Sequence, residues 1–544
     1  MRGGSSGGGG GRSAWLVVLA AGLVLSFAIR IHRADFPFER DEGEYAYAGK
    51  LILEGVPPYT EVCNMKLPGT YYAYAFLMTL FGRTDFGVHL GLAFWTAASA
   101  LLVFAIGARL LGRLAGALAA TTFAMLAVSP GVLGLAGHAT HFLLLPALAG
   151  TWLLLRPWPG GLPAAFLAGL LFGAAFLMKQ HAAAFVAWGA VCLGLRERGQ
   201  GWRRLASAEG SLLAGAAVPY GALCLYMAAI GAFDGFWFWT VTYARQYVAQ
   251  VPVSAAAGLL LSSSKSAIGW NFLVWIAAAA GAAWAFRDAT LRAARPHLAA
   301  FALCSFAAVV PGFYFRQHYF IPMLPAVALL AAAGAAGDGG SRADARRRTA
   351  WTCLVLAAVA VGTAGYAGAF FTWDEVRLAR RMYGTNPFVE SREIAARLRA
   401  AARPGDRIAV LGSEPQLPFY ADMRSAARYV YAYGLMEVHP YAARLQDETI
   451  AEIEAAWPRH VVLVHVRTSW LPRRGSDRRI FRWIDAWVPA HYDVVGLVEI
   501  FPDRPAAYTW GPEAASRGPQ SQDHVLVFRR RDAGSEAETG REPR

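Results

Sequence analysis

Residues 14–31 read AWLVVLAAGLVLSFAIRI, and the chain then passes through Arg30-Ile-His-Arg33 into FPFERDEGEYAY at residues 36–47. A bilayer core of about 30 Å takes roughly 17–25 apolar residues of helix, so the first stretch is long enough to cross. No small-residue cleavage site follows it, so it reads as a retained span rather than a secretory leader. Similar runs recur at 86–110, 114–133, 142–155, 162–178, 182–195, 211–230, 267–286, 297–315, 320–336 and 351–371, about eleven spans in all.

The composition agrees. Of the 544 residues 56% are hydrophobic and only 16% charged, against about 45–50% and about 25% in ordinary soluble domains. Five cysteines in this length exclude a disulfide scaffold. Cys192, Cys224, Cys304 and Cys353 lie in apolar runs, where a thiol acts as a small hydrophobe.

The net charge of +14 is mostly topology. Arg109, Arg113, Arg156, Arg196, Arg198, Arg203, Arg204, Arg287, Arg292, Arg295, Arg342 and Arg346–Arg348 fall in one alternating set of loops. The positive-inside rule then puts the N-terminus in the cytoplasm and the loop 32–85 outside. An odd number of spans also puts everything after Phe371 outside. The reading is a polytopic α-helical membrane protein. It comprises a Gly/Ser-rich tail at 1–13, a membrane domain at 14–371, an extracytoplasmic α/β domain at 372–532 and a frayed tail at 533–544. Within the α/β domain, 391–402 has helical periodicity, and the β-branched runs 407–411 and 460–466 flank the amphipathic stretch 449–457.

The first outer loop is where chemistry gathers. Glu39, Asp41, Glu42 and Glu44 crowd together just beyond a span, followed by Tyr45, then Lys66, Tyr71 and Tyr72. Carboxylates packed beside lipid repel one another, which suits one of them to general-base work; a solvated charged loop is the alternative. Lysine is scarce, and Lys50, Lys66, Lys179 and Lys265 all fall at or beyond outer ends of spans. Lys179 with Gln180 and His181, and Arg316 with Gln317, His318 and Tyr319, break apolar runs there, as phosphate ligands or as interfacial anchors. The aromatic segment 233–247 reads as a lining for a groove or as a membrane belt. His138 and His141 lack the further ligands of a zinc site, and the chain has no phosphate-binding loop or dinucleotide fingerprint. Neither a metal cofactor nor a nucleotide donor is indicated, nor is nucleic acid.

The motifs Arg40-Asp41-Glu42-Gly-Glu44-Tyr45, Lys66-Leu-Pro-Gly69-Thr-Tyr71-Tyr72, Phe176-Leu-Met-Lys179-Gln180 and Arg316-Gln-His318-Tyr319-Phe-Ile-Pro322, in this order, resemble those of the GT-C glycosyltransferases. The narrower likeness is to family 39, with its protein O-mannosyltransferases and the lipid A aminoarabinose transferases. That resemblance implies a polyprenyl-phosphate sugar as donor and an envelope lipid, glycan or protein as acceptor, with transfer by inversion. It assigns Asp41 as base with Glu42 as companion, and Lys66, Lys179 and Arg316 to the lipid phosphate. Glu44, Tyr45, Tyr71, Tyr72, Gln180, His318 and Tyr319 would line the groove. Two departures leave sugar and acceptor open: Lys-Leu-Pro-Gly replaces the aminoarabinose enzymes' Lys-Pro-Pro, and 137–142 holds histidines where relatives carry an acidic residue.

Two other classes compete. A flippase of lipid-linked glycans predicts internal repeats and midplane charges, whereas the charges here cluster at the outer face. A non-catalytic scaffold predicts that Asp41→Asn is silent.

Overall fold

A computed structural model describes residues 10–156, 161–337 and 341–531. The tail expected at 1–13 lies largely outside the described residues, and that at 533–544 entirely so.

The chain divides into two compact units. The first, Met1–Asp35, Leu67–Ala229 and Tyr247–Thr372, is helical. Among its described residues seven helices are long and apolar enough to cross a membrane: Ala14–His32, Asp85–Leu111, Gly161–Met178, Trp202–Ala229, Val253–Arg287, Gln317–Ala335 and Arg342–Gly365. Gln317–Ala335 is the central one, 89% buried, whereas the others carry exposed apolar side chains such as Val24, Leu225, Ile276 and Leu354. A leucine or valine left bare on a helix of this length suits a lipid-facing surface.

The expected count of eleven is not reproduced: two of the apolar runs are broken by proline and glycine, and two give only short helices. The run at 114–133 ends its helix at Ala127, where Pro130–Val132 tightens into a 3-10 turn. The run at 297–315 stops at Ala307, before Pro311 and Gly312, whose φ is +76°. The runs at 142–155 and 182–195 yield Leu144–Leu155 and Ala183–Arg196, of 12 and 14 residues. Hydropathy is blind to such breaks, which proline and glycine impose through the backbone.

The second unit is built from three separate segments, Phe36–Lys66, Ile230–Gln246 and Trp373–Arg544. Its centre is a six-stranded sheet of β1 (Arg407–Leu411), β2 (Arg424–Ser425), β3 (His460–His465), β4 (Tyr492–Ile500), β5 (Ala507–Trp510) and β6 (Asp523–Arg530). The strand order is β2-β1-β3-β6-β4-β5. β1 pairs in parallel with β2 and β3, and the remaining ladders are antiparallel. Ile394, Leu398, Ile408, Val462, Val464, Val525 and Val527 form its core. Helices Gln416–Ala421 and Ala442–Ala456 make the β1-to-β2 and β2-to-β3 connections.

The aromatic segment up to Gln246 belongs to this unit. Phe236, Trp239 and Tyr243 are buried, the first with its ring 5.5 Å from Tyr59 and the second 5.4 Å from Tyr429. Tyr243 donates to Glu437 over 2.6 Å, and Trp237 stays exposed. These buried rings pack inside the unit, while the exposed one keeps the character of a belt residue.

Candidate active site

The acidic cluster of the first loop opens a helix, Arg40–Leu53. Glu39 caps it, accepting from the Glu42 amide over 3.1 Å while the Glu42 carboxylate accepts from the Glu39 amide. This reciprocal box satisfies two free amides, and the helix dipole favours Asp41 and Glu42 in the first turn. Gly43 lets the helix lie close on Gln416: a Cβ there would stand 2.7 Å from the Gln416 amide nitrogen.

Asp41 and Glu44, three apart, project to the same side of the helix. The Lys66 ammonium donates to both, 2.7 Å to Asp41 Oδ1 and 2.7 Å to Glu44 Oε2. Asn64 donates to Glu44 over 2.8 Å, and the Tyr431 hydroxyl donates to Asp41 Oδ1 over 2.6 Å. Lys66 also lies over two rings, 4.5 Å from that of Tyr45 and 4.8 Å from that of Tyr431. The Tyr59 hydroxyl donates to the Lys66 carbonyl over 2.7 Å, fixing the loop that carries the lysine.

The electrostatics follow from this packing. Burial alone would lower the Lys66 pKa, but Asp41 and Glu44 hold it well above the ordinary lysine value. Burial raises both Tyr45 and Tyr431, with Asp41 adding to the rise in each, so both phenols stay protonated. Cys63 donates to the Tyr59 carbonyl over 3.3 Å, and burial pushes its thiol up to about 12, away from reactivity. Asp41 keeps 20% of its side chain exposed while Glu44 is fully buried. A carboxylate paired with an ammonium and a phenol, yet reachable from outside, is placed to accept a proton.

Arg40 points the other way. It donates to the Ser413 carbonyl (2.6 Å), the Tyr433 hydroxyl (2.7 Å), Asn386 Oδ1 (2.8 Å) and Glu414 Oε1 (2.9 Å).

The remaining residues singled out in the sequence lie in the first unit. The motif Lys66-Leu-Pro-Gly69 enters the helix Gly69–Phe81, on which Tyr71 is buried and Tyr72 partly exposed. A Cβ on Gly69 would stand 2.4 Å from the Leu177 carbonyl oxygen, and Thr70 donates to the Met178 carbonyl over 3.0 Å. This contact brings two of the motifs together, because Lys179 follows directly and caps the 3-10 turn Gln180–Ala182. Lys179 Nζ lies 3.8 Å above the Tyr319 ring, which also meets His181 and His318. His318 stacks on His138 with centroids 4.1 Å apart, and Arg316 lies over Tyr314 at 5.6 Å. His141 turns away to the Ala127 carbonyl at 3.1 Å.

Sequence reasoning placed Asp41, Glu44, Tyr45 and Lys66 in one outer loop with separate roles, and overlooked the ion pairs of Lys66 with Asp41 and Glu44, the contacts of Tyr431 and Asn64, and the anchoring of Arg40. Nothing local marks Tyr431, which stands 390 positions from its partner.

Residues 65–219 match the family model described as dolichyl-phosphate-mannose-protein mannosyltransferase, a match that includes Lys66 and Lys179. No curated protein matches the chain by sequence. Among solved structures, ArnT from Cupriavidus metallidurans bound to undecaprenyl phosphate is similar at 16% identity and a TM-score of 0.59, over 95% of this chain and 98% of that one. The apo form of the same enzyme gives 15% identity and a TM-score of 0.56 over the same shares. The archaeal oligosaccharyltransferase AglB from Archaeoglobus fulgidus, in complex with an inhibitory peptide and a dolichol-phosphate, gives 13% and 0.49, over 93% and 75%. The resemblance read from the motifs thus holds in the matched segment and in the ArnT-like fold.

Proposed function

We propose that this chain is an inverting glycosyltransferase that takes a sugar from a polyprenyl-phosphate donor and passes it to an acceptor at the outer face of the inner membrane. The N-terminus is cytoplasmic and the sheet-bearing unit extracytoplasmic. The single observation that carries the reading is the Asp41–Lys66 pair: a partly exposed carboxylate and an ammonium held 2.7 Å apart.

In this reading Asp41 takes the proton of an acceptor hydroxyl or amine. The acceptor heteroatom forms a bond to the anomeric carbon as the bond from that carbon to the phosphate oxygen breaks. The electron pair leaves with polyprenyl phosphate, whose negative charge Lys66 neutralises together with Lys179 and Arg316. Glu42 supports Asp41 by holding the first turn of the helix. Tyr45, Tyr72, Gln180, His318 and Tyr319 line the path of donor and acceptor, while the fully buried Glu44 acts through its ion pair with Lys66. The ArnT structure with undecaprenyl phosphate supports a lipid carrier of this class.

The test is turnover by the purified full chain in detergent, with a panel that includes undecaprenyl-phosphate mannose and undecaprenyl-phosphate aminoarabinose and a host membrane extract as acceptor. Wild type should release free polyprenyl phosphate in an acceptor-dependent way. A general base contributes about 10²–10⁴-fold, so Asp41→Asn should lose at least the lower figure. Equal turnover by both proteins would remove Asp41 from the reaction.

A further inference from the structure

The parallel part of the sheet has the form of an open α/β sheet, with β1 between β2 and β3. The chain leaves β1 toward β2 on one side and leaves β3 toward β4 on the other, so the carboxyl ends of β1 and β3 border a topological switch point. In such sheets this crevice is where ligands bind. Here hydrogen bonds join the loops that border it. The Ser413 amide donates to Ser469 Oγ over 2.8 Å, the Ser413 hydroxyl donates to the Ser469 carbonyl, and Ser469 Oγ donates to Glu414 Oε2 over 2.6 Å.

The occupant of the crevice is the side chain of Arg40. Its guanidinium meets the loop after β1 at Ser413 and Glu414, and the fully buried Glu414 is its counter-ion. The same crevice fixes the loop after β2. The Ala432 amide donates to Ser413 Oγ over 2.8 Å, and the Tyr433 hydroxyl donates to the Thr468 carbonyl over 2.8 Å while accepting from Arg40. One residue before Ala432 stands Tyr431, whose hydroxyl reaches Asp41. Arg40 and Tyr431 therefore bracket Asp41, one fixing the backbone of its helix and the other its carboxylate oxygen.

We propose that Tyr431 is a positioning residue for the transfer reaction, orienting the Asp41 carboxylate from the α/β unit, with Arg40 seated in the switch-point crevice as its anchor. The inference rests on the reading of Asp41 as the base. A base must stand within hydrogen-bond reach of its proton in the reacting geometry, and small misplacements cost rate rather than binding. In this unit the α/β sheet, instead of holding a ligand at its switch point, holds the helix that carries the reactive group.

The test compares Tyr431→Phe, Arg40→Lys and Asp41→Asn in the full chain, measuring kcat with a donor that wild type turns over, the affinity for undecaprenyl phosphate, and the melting temperature. Tyr431→Phe keeps the ring over Lys66 and removes only the donor. It should lower kcat by roughly tenfold to a hundredfold while leaving undecaprenyl phosphate affinity within about twofold of wild type and melting unchanged. Arg40→Lys keeps the charge but loses the fork, and should lower kcat in the same sense. If Asp41→Asn is inactive and Tyr431→Phe retains wild-type kcat, the inference falls and the reading of the base stands. If Tyr431→Phe loses lipid affinity and melting temperature together with kcat, its role is structural and the inference also falls. If Asp41→Asn stays active, or wild type turns over no donor, both fall together.

Discussion

Lys66 and Asp41, 25 positions apart within the first outer loop, are joined by a 2.7 Å ion pair. Glu44 completes the cluster from a site with no exposure at all. Removing one partner of a buried pair leaves an uncompensated charge and costs about 3–5 kcal/mol, whereas replacing both is close to neutral. Lys66→Ala is therefore expected to lower the melting temperature sharply. Lys66→Met combined with Glu44→Gln should recover most of that loss without recovering turnover. Thermal melts of the three proteins in one detergent check this; a double variant as unstable as the single one would contradict it.

Alkaline pH should act late on this cluster. Lys66 has its folded pKa raised above the ordinary 10.5, so the stability from its ion pairs is fully present below that value and is lost as pH rises through the higher folded one. Tyr431 and Tyr45 are shifted upward too, so the unfolded chain gives up these phenolic protons first and stability again falls only above pH 10. Melting temperature should show no decline from this cluster between about pH 7 and pH 9.5. The decline above that range should be shallower in Tyr431→Phe than in wild type.

Gly69 allows the helix Gly69–Phe81 to start against the end of Gly161–Met178, with the Leu177 carbonyl oxygen 2.4 Å from where a Cβ would be. Backbone cannot yield as a side-chain tip does. Gly69→Ala should therefore cost about 1–3 kcal/mol and displace Lys179, two residues beyond Leu177. A melting temperature equal to wild type would show that the two helices separate freely.

The proposed orientation has a direct readout. Alkaline phosphatase fused after Arg531 should be active and a green fluorescent protein at the same place dark, with the reverse pattern for fusions after Arg198. The opposite outcome would invert the positive-inside reading of the arginine loops.

What was legible in the sequence was whatever rests on periodicity and local chemistry. The strand Arg407–Leu411 and the apolar runs show themselves because burial demands a pattern within a few residues. The crowding of Glu39, Asp41, Glu42 and Glu44 shows itself because they stand within six residues, whereas the pairing of Lys66 with Asp41 and Glu44 does not. Span lengths were overestimated where proline and glycine broke a run that stayed apolar, as at Pro130 and Gly312. Tyr431 and the Arg40–Glu414 pair were hidden for another reason: each joins segments that only the folded sheet brings together, and no spacing rule reaches 374 or 390 positions.

The three-part construction of the second unit has a consequence for how the molecule comes into being. Its first part, Phe36–Lys66, leaves the ribosome well before its last, which opens at Trp373, after the seventh candidate span has ended at Gly365. At roughly 5–20 residues per second, the helix bearing Asp41 waits about 20–80 s for the tyrosine that completes its surroundings. During that interval the nascent chain can be threaded and inserted while Asp41 lacks the Tyr431 hydrogen bond.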